Sequence, residues 1–264
     1  MPRIIVCLKQ ALDVSQLKAD PSSRKLVTAG VPRKISDFDK NALEEAVSLK
    51  EKLGGEVVTI TSSAEDAKTS IREALAIGAD KGYFVNDEGL RNSCTLATSH
   101  VLAEAIKKIG QFDLVLCGEA SIDGFSAQIG PRVAEILGIP VLTYARSITV
   151  QGDTVTAERS LEDRYETVRT KMPAVITVTR EINEPRIPSL MAIMKASKKE
   201  IVSWRLADIS VPPEKAGEQG SGVKIMDVSA PKVERKKETI QGESPREIAA
   251  NLVKALIQDG VIGR

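Results

Sequence analysis

Apolar and polar positions alternate along the first ~145 residues in two different rhythms. Arg3–Leu8 carries Ile4, Ile5 and Val6 in succession, the pattern of a strand covered on both faces. From Asp37 to Leu53 the spacing changes: Ala42, Ala46, Leu49 and Leu53 recur at helical intervals, as do Leu43 and Val47. Asp37 is placed to cap that helix, and Gly54-Gly55 ends it. The same reading predicts strands at 56–61, 81–85 and 113–117 and helices at 63–77, 92–109 and 129–137. The three helices stop at Gly78, Gly110 and Gly138, and a further strand starts at 140–142. Such a β-α-β-α rhythm predicts a Rossmann-like, doubly wound, mainly parallel sheet with helices on both faces.

The rhythm breaks after Leu142. Residues 147–159 alternate around Gln151-Gly152-Asp153, a hairpin signal, and two more strands are predicted at 166–171 and 173–179. A long irregular segment, 181–199, holds Leu190-Met191-Ala192-Ile193-Met194 and then lysines. Residues 207–243 are rich in Gly, Pro, Ser and charge and read as an extended arm. Ser244 as N-cap and Pro245 at the first position open a last helix, with Ile248, Leu252, Ala255 and Leu256 as its apolar stripe. The expected organisation is a nucleotide-binding α/β domain over 1–206 and a C-terminal arm and helix over 207–264.

Charge narrows the function. Lys plus Arg number 37 against 36 for Asp plus Glu, a balance that gives no footprint for nucleic acid or an anionic membrane. Aromatic residues make up only 3%, which argues against stacking platforms for single strands. No apolar run has the length of a membrane span, and the N-terminus resembles neither a signal nor a transit peptide. Three cysteines, Cys7, Cys94 and Cys117, without CxxC spacing fit a reducing, cytoplasmic setting.

In an open α/β sheet, ligands sit beyond the carboxyl ends of the strands. The loop from Gly118 to Pro131 leaves a buried strand and opens a helix, where backbone N–H groups and the helix dipole favour an anion. Gly124 and Gly130 permit close approach, and Asp123 and Gln128 can hydrogen-bond a ribose or base. An ordinary strand-to-helix turn explains the same residues. Ser62-Ser63, after the second strand, fits a helix cap equally well. Cys7 and Cys117 read as small buried hydrophobes, and His100 as a packed or surface side chain. No hydrolytic or metal constellation emerges, and the phosphate loop GxxxxGK[ST] is absent from the sequence. The Met-rich 190–194 patch is costly if left exposed, and methionine adapts to varied partner surfaces. A short helix covering the domain's own core is the alternative.

Two stretches carry a family resemblance. Glu158–Thr177, with Arg159, the acidic pair Glu162-Asp163, Glu166-Thr167-Val168 and Pro173, resembles the signature of electron-transfer flavoprotein beta subunits, departing at Arg164. Asn183–Lys199 is similar to that family's recognition loop, with Leu190 as the anchor for partner dehydrogenases, among them acyl-CoA dehydrogenases. Met191, Ile193, Met194, Lys195 and Lys198 surround it. The resemblance implies a heterodimer with an alpha subunit that holds most of an electron-carrying FAD, with the 207–264 arm wrapped around it. It also places nucleotide contacts on Cys7, Lys9, Ser36, Asp39, Ser62, Asp123, Gly124, Ser126, Ala127, Gln128 and Gly130.

The nucleotide is either a structural AMP or, as in the electron-bifurcating branch, a second FAD reduced by NADH. Asp123–Pro131 looks more like the bifurcating form. Gly217–Val223, including Gly220 and Ser221, resembles the glycine-rich loop those members place on flavin phosphates, departing at Gly222 and Val223.

Overall fold

The computed structural model describes residues 1–232 and 237–263; the parts of the expected arm at 233–236 and 264 lie outside the described residues. In chain order the elements are β1 (Arg3–Cys7), β2 (Gln10–Leu12), β3 (Lys18–Ala19), β4 (Leu26–Val27), β5 (Arg33–Ile35), α1 (Asp37–Leu53), β6 (Glu56–Ser63), α2 (Lys68–Ile77), β7 (Lys81–Asn86), α3 (Thr95–Ile109), β8 (Leu114–Gly118), α4 (Ile129–Leu137), β9 (Val141–Gln151), β10 (Thr154–Ser160), β11 (Tyr165–Lys171), β12 (Ala174–Val178), α5 (Leu190–Ala196), β13 (Ile201–Trp204) and α6 (Pro245–Gln258). Among the described residues a nine-stranded sheet runs β11-β10-β9-β12-β8-β1-β6-β7-β13. Its strands from β9 to β13 pair in parallel, and β10 and β11 add an antiparallel edge. Small antiparallel ribbons, β2 with β5 and β3 with β4, stand apart.

The apolar run in β1 follows from this layering. Ile4 and Val6 join one core with Ala42, Leu43 and Ala46 of α1 and Ile71 and Leu75 of α2. Ile5 and Cys7 point the other way, into a core with Val101 and Ile106 of α3 and Val133 and Ala134 of α4. Full burial of each such aliphatic side chain contributes about 1.5–3 kcal/mol. The second core also takes in Ile209, Val211 and Ala216, so the chain still packs on the sheet after β13.

Several expectations need correction. The helix expected from Ser63 starts at Lys68, because β6 runs on to Ser63 and pairs Ser62 with Val85 and Ser63 with Asn86 of β7. Ser62 and Ser63 are therefore strand residues, not a cap. The helix expected from Asn92 starts at Thr95. Asp37 does not cap α1: Ser36 holds that position without a side-chain cap bond, and Asp37 lies in the first turn, paired with Lys34 at 3.0 Å. The short edge strand β13 and the two ribbons were not foreseen.

The terminal helix has the expected cap, Ser244 Oγ accepting the Glu247 N–H at 3.3 Å. None of its residues is buried, and Ile248 and Leu252 are exposed. Upstream, Val223, Ile225, Met226 and Val228 are exposed as well, Met226 at 85%. No helix among the described residues is long and apolar enough to cross a membrane.

Candidate functional site

Chain order leaves β1 toward β6 and β7, then returns to its other side with β8. The reversal opens a crevice at the carboxyl ends of β1 and β8, where open α/β sheets bind ligands. Asp39, in the first turn of α1, closes its floor. Its Oδ2 accepts the Lys9 N–H at 2.8 Å and its Oδ1 accepts the Gly118 N–H at 3.0 Å, tying the ends of both strands to one carboxylate. Burial pushes the Asp39 carboxyl up to about 7, against the two backbone N–H groups that favour its ionised form.

The rim is polar. Lys9 Nζ lies 2.6 Å from Asp123 Oδ1. Burial raises the Asp123 carboxyl, but the hydrogen bond and charge of Lys9 outweigh it, and the net direction is down. Ser36 Oγ accepts the Ile122 N–H at 3.3 Å, and the Ser36 N–H donates to Lys9 O at 2.9 Å. Gly130 packs where no other residue fits, since a Cβ there would overlap Thr177 Cγ2. Beneath, Cys7 and Cys117 lie side by side on neighbouring strands. The hydrogen bond that the Cys117 S–H gives to Cys7, then burial, holds the Cys117 thiol well above its ordinary range. A thiol so placed is a poor nucleophile.

The 121–128 loop is held in an unusual backbone. Phe125 (φ 44°) and Ala127 (φ 54°) adopt left-handed conformations that cost a non-glycine residue about 1–2 kcal/mol each. The Phe125 N–H bonds to Ser121 O at 2.9 Å, and its ring stands 5.8 Å from that of Phe38. Gly124, Ser126 and Gln128 are exposed beside it.

Cys7, Lys9, Ser36, Asp39, Asp123 and the 124–130 loop thus share one crevice. Ser62 lies one strand outward, in a cleft of about 310 Å³ lined also by Arg33, Ser63, Arg91, Asn92 and Ser93. The arm reaches this end of the sheet: Ser221 Oγ accepts the Cys94 N–H at 2.8 Å, and the Gly217 N–H donates to Ser93 Oγ at 3.0 Å. Gly220 sits tightly, a Cβ there overlapping the Lys215–Ala216 backbone. Burial would raise the Cys94 thiol, but the Ala97 and Leu96 N–H groups and Ser221 hold it down to about 7. Sequence reasoning gave no role to Cys94, Thr95 or Arg132. Their signal was position alone, at the starts of α3 and α4.

The residues of α5 form a separate surface. Leu190 is 74% exposed, Met191, Ile193 and Met194 are exposed, and only Ala196 is buried. The alternative of a helix covering the chain's own core is not what forms. Arg72 of α2 donates to Ala196 O at 2.8 Å and Lys199 O at 2.6 Å, and Lys199 Nζ donates to Leu75 O at 3.0 Å. Upstream, Arg186 bonds to Glu44 at 2.8 Å and Glu51 at 2.6 Å, and Asn41 and Asn183 exchange hydrogen bonds. Lys195 and Lys198 flank the exposed face.

Residues 24–209 match the family model described as "Electron transfer flavoprotein domain". The chain is 41% identical over 260 residues to an electron transfer flavoprotein subunit beta of Thermoanaerobacterium thermosaccharolyticum, covering 98% of this chain and 99% of that one. It is 41% identical over 235 residues to the corresponding subunit of Megasphaera elsdenii, covering 86% and 87%. To the caffeyl-CoA reductase-Etf complex subunit CarD of Acetobacterium woodii it is 36% identical over 261 residues, covering 98% and 100%.

Proposed function

The chain belongs to the electron transfer flavoprotein beta-subunit family, and from that premise we propose that it works in the cytoplasm as the nucleotide-holding half of a heterodimer with an alpha subunit. In this reading the alpha subunit carries the shared FAD and the β1/β8 crevice takes a second FAD, with NADH as electron donor. The observation that carries the choice of a dinucleotide is the seat of Gly217–Ser221. This glycine-rich segment returns to the carboxyl ends of the strands and lies on Ser93 and Cys94, whose neighbours line the adjoining cleft. A ligand longer than a mononucleotide would find polar groups from Asp123 to Ser221.

The donor set fits such a ligand. Backbone N–H groups at the start of α4 and Lys9 would meet a phosphate, and Asp123 would offer a ribose acceptor. A bound flavin would supply the redox chemistry. The chain's own part is to bind and orient. Asp39 ties the ends of β1 and β8 to one carboxylate, and the Lys9–Asp123 pair sets the charge at the rim. The α5 surface would dock a dehydrogenase of the acyl-CoA type, with Leu190 as its anchor.

A structural AMP in the same crevice is the alternative, giving a simple electron shuttle. Counting nucleotides released from the complex purified with its alpha subunit separates the two. Two FAD and no AMP is the expected result; one FAD and one AMP per heterodimer would sink the dinucleotide reading.

A further inference from the structure

Thr95 opens α3, while Gln128 and Arg132 lie four residues apart at the start of α4, a spacing that puts them on one face. Thr95 Oγ1 sits between them, 2.9 Å from Arg132 Nη1 and 2.6 Å from Gln128 Oε1. A guanidinium has donors only. The Thr95 oxygen therefore accepts from Arg132, and its one proton goes to Gln128. That proton needs an acceptor, so the amide oxygen turns inward and the NH2 outward. Arg132 takes one of the two lone pairs of the hydroxyl and turns its proton away from the guanidinium, toward Gln128; without Arg132 that proton is free to rotate and the amide loses its fixed sense. No protein acceptor meets Gln128 Nε2 among the described residues, and the side chain is exposed at the crevice loop.

We propose that Thr95 and Arg132 are positioning residues, which set the Gln128 amide so that it offers N–H donors to an acceptor oxygen of the bound nucleotide. The inference rests on the nucleotide reading of the β1/β8 crevice. The acceptor is a phosphoryl or a carbonyl oxygen; both are met by an N–H donor and neither by an amide turned the other way. Arg132 touches Thr95, not the ligand, and acts through the polarity of one hydrogen-bond chain.

The test uses the full chain in complex with its alpha subunit, stripped of nucleotide and titrated with AMP, adenosine and FAD. Thr95→Val and Arg132→Ala should each weaken binding tenfold or more, while Thr95→Ser, which keeps the hydroxyl, should bind as the unaltered complex does. Loss confined to AMP and FAD identifies a phosphoryl oxygen, and loss confined to FAD a flavin carbonyl. Gln128→Glu changes an exposed side chain, and it decides the matter should the Thr95 variants fold poorly. It replaces the outward donor by an acceptor and should remove most of the affinity. Unchanged affinity in Gln128→Glu, or in Thr95→Val and Arg132→Ala, would overturn the proposal while leaving the nucleotide site standing, as would equal loss in Thr95→Ser. An unaltered complex that binds none of the three ligands would instead remove the nucleotide reading, and the relay with it.

Discussion

The carboxylate of Asp39 accepts the backbone N–H of Gly118 at 3.0 Å, and the contact leaves no room for a larger residue at 118. A Cβ on Gly118 would stand 2.6 Å from Phe38 Cβ and 2.7 Å from Asp39 Oδ1. Helix α1 thus approaches the end of β8 as closely as main chain permits. Gly118→Ala should push α1 outward, lower stability by about 1–3 kcal/mol and weaken nucleotide retention. Thermal melting of the complex with and without added nucleotide reads both.

Asp39 also sets a pH dependence. Its folded pKa, about 7, lies above the roughly 3.9 of an exposed aspartate. A raised pKa means that the folded chain binds the proton more tightly than the unfolded one. The stability this supplies is fully present below about pH 4 and is lost as pH rises through 7. Denaturant unfolding of the chain and of Asp39→Asn should therefore show the parent's advantage shrinking from pH 4 to pH 8. The amide, with one NH2 set against a backbone N–H, should itself cost about 1–3 kcal/mol. A gap that widens with pH would refute the assignment.

Leu190 contributes little to the fold at 74% exposure. Leu190→Ala should leave stability within about 0.5 kcal/mol and bound flavin intact, while slowing electron exchange with the partner dehydrogenase. Stopped-flow reduction, set beside the flavin content, separates these effects. Equal loss of flavin and rate would remove the docking role.

Arg186 fastens the segment that leads to α5, through Glu44, whose side chain is 9% exposed, and Glu51. Both carboxylates are held below their usual range: Arg186 outweighs the burial of Glu44, and its hydrogen bond leads the causes for Glu51. Arg186→Ala should lower stability by about 1–3 kcal/mol and impair docking without touching the crevice. Unfolding curves and partner affinity measured together would show it.

Truncation after Gly222 removes the largely exposed 223–232 stretch, whose Ala230 N–H bonds to Arg24 O, and α6, none of which contributes a residue to either core. The shortened chain should melt close to the full one, yet fail to co-purify with the alpha subunit. A large drop in melting temperature would contradict this division of labour.

The bounds of α1 and α4 were legible in the sequence because apolar period, first turn and terminal glycine agree at both. β6 overran its expected end because Ser62 and Ser63 look like cap residues, and only pairing to Val85 and Asn86 makes them strand. β13 is four residues long and follows a lysine-rich stretch, so its period is too short to read; its place is set by β7. The loop at 118–131 was legible as a candidate from its glycines and its place after a buried strand. How it is held was not. Asp39 reaches Lys9 across 30 residues and Gly118 across 79, and the Thr95–Gln128 contact joins the starts of two helices. Contacts between distant segments leave no trace in local spacing.

The mount of α5 grips main chain. Arg72 holds the carbonyls of Ala196 and Lys199, and Lys199 holds those of Leu75 and Ala79. Carbonyl oxygens are the same whatever side chain a residue bears. The outward letters of this helix can therefore be rewritten while its bracket stays fixed; in the docking role proposed above, a handful of exposed substitutions would readdress the chain to a new donor and leave the β1/β8 crevice untouched.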